Sequence, residues 1–242
     1  MPDTRSYDVV AIGAHPDDIE VSMGGTCARL VREGRSVLIV DLCDGEPTRY
    51  GARGDRARQA AAAAAALGAD RLTLSLHDRL IADTVEARLQ VARLIRQCRP
   101  ATVLTTLGSG VHPDHQAVTD IVTHGVFYAR LPKWDEVPGG EVLAGTDPHE
   151  IGRLFYGHCR MEPAWSRFDV AVDVTAEYDR KMAAIRAFES VFSGDHASLV
   201  DKYSAEDRYV GSLVGVRYAE PFRARSPLLV ESLGVFVPTR FG

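Results

Sequence analysis

Four short apolar runs alternate with four helical patterns over the first half of this chain, and that alternation restricts the fold more than any other feature. The runs cover residues 8–13, 36–42, 71–76 and 101–106; the helical patterns cover 19–32, 56–67, 84–98 and 115–128. Such runs, rich in β-branched residues, read as strands buried on both faces, and strand–helix alternation closes through right-handed crossovers into a parallel sheet. The expected architecture is α/β, a single Rossmann-like domain over residues 1–242 with a doubly wound, mostly parallel sheet and helices on both faces.

The second half is less regular. Strands are expected at 152–157 and 169–174 and a helix at 177–192, whereas 203–216 and 227–236 mix helical and extended character. The alanine run 60–66, closed by Gly68, reads as a tightly packed helix with a glycine cap. Residues 133–149, rich in Pro, Gly and acidic side chains, read as a loop placed to cover or border a site.

Composition excludes several function classes. A net charge of −5 with both signs interspersed offers no polybasic track for nucleic acid or anionic lipid. No stretch reaches the ~20 apolar residues of a membrane helix, and the N-terminus lacks the apolar core of a signal peptide. Cys27, Cys43, Cys98 and Cys159 form no CxxC pair and read as buried thiols of a reducing compartment. A cytoplasmic protein acting on a small molecule is the expectation.

The chemistry is concentrated in two segments, Ala14-His15-Pro16-Asp17-Asp18-Ile19-Glu20 and His112-Pro113-Asp114-His115, each following a strand run and leading into a helix. In a doubly wound sheet the first and fourth strands are neighbours at the switch point, so their C-terminal ends meet where such folds place their sites. His15 and Asp18, three apart, and His115 make a metal donor set of two imidazoles and one carboxylate. That set suits zinc, or less selectively iron or cobalt, and leaves a coordination position open. Asp17 lies beside the ligands as a spare general base, His112 is placed to protonate a leaving group or hold an oxyanion, and Asp114 to orient a histidine. The competing reading of these residues is helix capping and ordinary turn chemistry. Glu20 is assigned to the helix dipole or to orienting a ligand. His77 and Asp78 are assigned a structural role, because the third strand is distant from the switch point. His124, His149, His158 and His196 show no ligand spacing, Tyr203 and Tyr218 read as amphipathic core edges, and no GxGxxG supports a nicotinamide cofactor.

With both segments in this order and a helix beginning near Arg56, the chain resembles the LmbE/PIG-L family of zinc-dependent N-acetylglucosamine deacetylases. The stretches 187–194 and 215–222 resemble most the bacillithiol-pathway branch, which deacetylates N-acetylglucosaminyl malate. The resemblance implies one zinc ion per chain on His15, Asp18 and His115, Asp17 as general base, His112 as acid or electrophilic partner, and an arginine near the substrate, aligned with Arg56. It also implies a homo-trimer or homo-hexamer. Gly110 stands where relatives often carry Asp, and Val191 where many carry Gln. The alternatives are a deacetylase of chitobiose or another N-acetylglucosaminyl conjugate, and a catalytically silent zinc-dependent sugar-binding module. Whether His112 or Asp17 protonates the departing amine is left open by the sequence.

Overall fold

A computed structural model describes residues 5–108, 111–158 and 167–232. Strands β1 (Val9–Gly13), β2 (Val37–Cys43), β3 (Asp70–Leu76), β4 (Thr102–Leu107) and β5 (Arg153–His158) run parallel, and β6 (Val170–Asp173) and β7 (Ala219–Ala224) complete a seven-stranded sheet of order β3-β2-β1-β4-β5-β7-β6. Strand β7 is antiparallel to both of its neighbours. Every residue of β1 and β2 is buried, as expected of strands covered on both faces, whereas β3 alternates and forms an edge. The expected doubly wound architecture is present. The pairing of β1 with β4, Val9 opposite Thr102 through Ile12 opposite Thr105, is the one that brings the two polar segments together. A buried hydrogen bond from Thr105 Oγ1 to Ile12 O, 2.8 Å long, fastens these strands beneath the site.

Helices α1 (Asp18–Arg32), α2 (Asp55–Leu67), α3 (Val85–Cys98), α4 (Pro113–Arg130), α5 (Tyr178–Arg186) and α6 (Ser198–Val214) flank the sheet. One apolar cluster lies between the sheet and α3 and α4, centred on Val10, Ile12, Val40, Ile95 and Ile121; a second lies under α1, α2 and α5, centred on Ala11, Ile19, Ile39, Leu67 and Phe188; and a third, smaller one gathers Val21, Val174, Tyr178, Met182, Ile185 and Tyr203. Cys27, Cys43 and Cys98 are buried, as expected, and Cys159 lies outside the described residues. Among the described residues no helix is long and apolar enough to cross a membrane.

Three expectations need correction. The helix expected over 177–192 stops at Arg186, because Phe188 turns into the core and Ser190 donates from Oγ to Gln59 Oε1 of α2 at 2.6 Å. Residues 133–149 form two short 3-10 turns and do not line the site. Arg93 and Arg96 of α3 donate to carbonyls at Val142, Leu131 and Thr146, so the segment is strapped to the outer face of α3 and α4. Residues 203–216 belong mainly to α6, and 227–232 hold no regular element; 233–236 lie outside the described residues.

Candidate active site

Two close approaches shape the turns that carry the site. A Cβ on Gly13 would stand 2.9 Å from Asp18 Cβ, so the absence of a side chain there lets the β1–α1 turn fold back over its own strand. A Cβ on Gly108 would meet the His115 carbonyl at 2.4 Å, so the first turn of α4 also needs a bare residue at the end of β4. Pro113 occupies the first turn of α4, where its missing N–H costs nothing, and His112 caps it, accepting the Asp114 N–H on Nδ1 at 3.3 Å. This explains why α4 begins two residues before the expected start.

Asp18 is fixed by its own backbone. Its Oδ2 accepts the N–H groups of Ala14 and His15, each at 2.9 Å, and its Oδ1 lies 3.2 Å from His115 Nε2. Burial works to raise its pKa, but His115 and then His15 hold the carboxyl well below the usual carboxylate range. The ring of His15 lies between carboxylates: Nδ1 is 3.7 Å from Asp18 Oδ2, and Nε2 is 3.2 Å from Asp78 Oδ1 and 3.1 Å from Asp114 Oδ2. Asp114 also accepts the Arg79 backbone N–H at 2.7 Å. Burial would lower the pKa of His15, yet the hydrogen bonds its ring donates to Asp18 and Asp78 and the charges of Asp18 and Asp17 hold it up to about 11.

One donor atom from each of His15, Asp18 and His115 can be chosen so that all lie within 4.8 Å of one another. Among the described residues two other triads meet the same distance, His15 with His112 and Asp114, and His15 with Cys43 and Asp78. Only the first has all three members on the wall of the cavity that opens above the switch point. A cluster whose carboxylates draw a proton onto a buried imidazole demands positive charge at that place, and a divalent cation supplies it. The residues present therefore fit a metal ion.

Asp17 sits at the start of α1 with φ 123°, outside the conformations that non-glycine residues favour. Arg56, buried at the start of α2, pairs with Asp17 Oδ1 at 3.1 Å and donates from Nε to Pro16 O at 3.0 Å. Burial pushes the Asp17 carboxyl up to about 7 against the pull of Arg56, with Asp18 adding to the rise. Arg56 thus both lines the cavity and holds the adjacent acid. Burial, and then the neighbouring His115 and His15, hold His112 below the usual imidazole value. Its ring stacks on His115 with centroids 4.5 Å apart.

The cavity of about 260 Å³ also takes in residues that sequence reasoning assigned elsewhere. Asp78 is the clearest correction. The turn after β3 leans across the end of β2, so Asp78 reaches His15 although its strand is two places from β1. Its position at a strand C-terminus was the available signal. His77 stays off this wall, whereas His196 and the buried Tyr203 line it, together with Arg49, Arg79 and Val191. His124 and His149 are engaged elsewhere, with Asp83 and with the Pro100 carbonyl, and Tyr218 stacks on Tyr178. Glu20 is fully buried and paired with Arg71, which also holds Asp41, so it takes part in a buried ion cluster rather than serving only the helix dipole. Gly110 lies outside the described residues.

Comparison with known proteins adds four findings. Residues 10–126 match the family model described as PIG-L, GlcNAc-PI de-N-acetylase. The chain is 29% identical to the diacetylchitobiose deacetylase of Thermococcus kodakarensis, over 89% of this chain and 82% of that protein. It is 30% identical to the 1D-myo-inositol 2-acetamido-2-deoxy-alpha-D-glucopyranoside deacetylase of Nakamurella multipartita, over 74% of this chain and 78% of that one. Among solved structures, the conserved protein TT1542 from Thermus thermophilus superposes with a TM-score of 0.82 at 34% identity, covering 93% of this chain and 97% of the other.

Proposed function

We propose that this chain, which belongs to the PIG-L family, hydrolyses the acetamide of an N-acetylglucosaminyl conjugate, with one zinc ion held by His15, Asp18 and His115. The observation that carries this reading is the conjunction, on one cavity wall, of a two-imidazole, one-carboxylate donor set and a spare carboxylate, Asp17, held in place by Arg56. The chemistry such an ion supplies is Lewis acidity toward an amide carbonyl and a lower pKa for water.

The side chains divide the remaining work. Asp17, raised toward neutrality by burial, takes the proton of the attacking water, and Arg56 keeps its carboxylate turned to the cavity. His112 accepts the Asp114 N–H on Nδ1, so its neutral ring carries a proton on Nε2 and offers it as a hydrogen bond to the oxygen that gains charge. The C–N bond then breaks, and Asp17 returns its proton to the departing amine. Acetate and a free glucosaminyl amine leave. Asp78 and Asp114 hold the His15 ring through Nε2, leaving Nδ1 to face Asp18.

N-acetylglucosaminyl malate is the substrate we place first, supported by the resemblance of residues 187–194 and 215–222 to the bacillithiol-pathway branch. Diacetylchitobiose is the second, favoured by the similarity to the Thermococcus enzyme. The test is amine release from both compounds by zinc-loaded, chelated and Asp17→Asn protein. Turnover that needs zinc and falls by about 10²–10⁴ in the variant, with metal content unchanged, is expected. A fully active Asp17→Asn variant would remove Asp17 from the base role, and zinc-loaded protein inert on both compounds would remove the deacetylase reading.

A further inference from the structure

The charges on the cavity wall are sorted by depth. Its three carboxylates, Asp17, Asp18 and Asp78, lie at the floor around His15, and the buried Arg56 is committed to Asp17 and to the Pro16 carbonyl. Two further arginines line the same cavity but belong to its rim. The side chain of Arg79 is 67% exposed and that of Arg49 60%. Their ionic contacts are long: Arg79 Nε lies 3.8 Å from Asp78 Oδ2, and Arg49 Nη2 lies 3.4 Å from Asp195 Oδ2, a carboxylate itself 81% exposed, while Arg49 Nη1 lies 3.5 Å from His196 Nε2 and the guanidinium stands over the Tyr50 ring.

The rim is built rather than incidental. Arg79 occupies the left-handed region at φ 68°, a conformation that glycine or asparagine adopts more readily, and its backbone N–H is spent on Asp114. Its guanidinium donates one bond to Pro47 O, which ties the turn after β3 to the loop that carries Arg49 two residues later. A guanidinium has five N–H donors, so most of those on Arg79 are left for a ligand, in a planar fork matched to carboxylate geometry.

Resting on the deacetylase reading above, we propose that Arg49 and Arg79 are specificity-determining residues that select conjugates whose aglycone carries a carboxylate. The acetamide goes to the acidic floor and the aglycone to the basic rim, so one cavity sorts its two ends by charge. A neutral aglycone gains nothing from the two guanidiniums, and an anionic one gains exposed, salt-sensitive pairs.

The test compares N-acetylglucosaminyl malate with its dimethyl ester, which keeps the skeleton and removes both charges. Wild-type protein is expected to favour the diacid by about tenfold or more in kcat/KM, mainly through KM. Arg49→Gln and Arg79→Gln are each expected to lower the diacid-to-ester ratio by about three- to tenfold, and about 0.5 M salt to compress the wild-type ratio in the same direction. Equal use of the two compounds by the wild type, or ratios untouched by the substitutions and by salt, would overturn the proposal while leaving the deacetylase reading intact. Absence of amine from either compound and from diacetylchitobiose would instead remove the deacetylase reading, and this inference with it.

Discussion

His15 is a ligand candidate surrounded by carboxylates on both sides of its ring, and the two sides do different work. Asp18 faces Nδ1, whereas Asp78, also on the cavity wall, and Asp114 both hold Nε2. A carboxylate behind a ligating imidazole sets its tautomer and strengthens it as a donor, and loss of such a partner typically costs about 10–100-fold in metal affinity. Asp78→Asn is therefore expected to weaken zinc binding by about that factor, read by competition with a chelator of known affinity. An unchanged zinc affinity would reduce Asp78 to a lining residue. Asp17 shows the same economy: an acid in a costly backbone conformation, one residue before the proposed ligand Asp18, held by an arginine from another helix.

At the scale of elements, the strand ends are locked by side chains as well as by the ladder. Asp8, just before β1, accepts both the N–H and the hydroxyl of Ser36, just before β2, each at 2.8 Å. The Ser36 backbone N–H and then its hydroxyl hold the Asp8 carboxyl below its ordinary value of 3.8. A carboxylate depressed by folding contributes stability that is fully present above its unfolded pKa and is lost as pH falls through the folded one. Ser36→Ala removes part of that contribution. The stability gap between wild type and variant, followed by urea unfolding, is expected to be widest above about pH 4 and to narrow in more acid solution. A gap independent of pH would show that the serine acts through packing alone.

The same scale explains what could be read from the sequence. Strands β1, β2 and β4 were legible because burial on both faces leaves near-continuous apolar runs, and the two polar segments were legible because each breaks such a run at its C-terminal end. Asp78 was not, since its contact depends on how far the turn after β3 leans over a neighbouring strand, which no local pattern encodes. The end of α5 was equally hidden. No glycine or proline stops that helix; Phe188 and Ser190 leave it for partners on other elements. The insertion of β7 between β5 and β6 is likewise a long-range choice.

The whole molecule is pinned around a second ionic cluster, none of whose three charged members lines the cavity. Lys181 of α5 lies between Asp207 of α6 at 2.6 Å and Glu220 of β7 at 2.8 Å, all three fully buried. Glu220 also accepts the N–H groups of Gly25 and Thr26 in α1, so four elements converge on one carboxylate–ammonium knot. Removing the cation withdraws the positive charge held between two buried acids, a loss of about 3–5 kcal/mol for a broken buried pair. Lys181→Met is expected to lower unfolding free energy by about that amount in denaturant titrations, and a change below about 1 kcal/mol would mean that water reaches the acids.

The division of the donor set between the first and fourth strands gives the site a place in the order of folding. His15 and Asp18 are synthesised early, but they are only two of the three proposed donors; the third, His115, follows β4, after α1, β2, α2, β3 and α3 have been made. A chain still emerging from the ribosome cannot close the triad until His115 is free and β4 has docked beside β1. On the metal assignment proposed above, capture by all three residues would be a late event, and it would stabilise the paired strands over earlier, partly assembled forms.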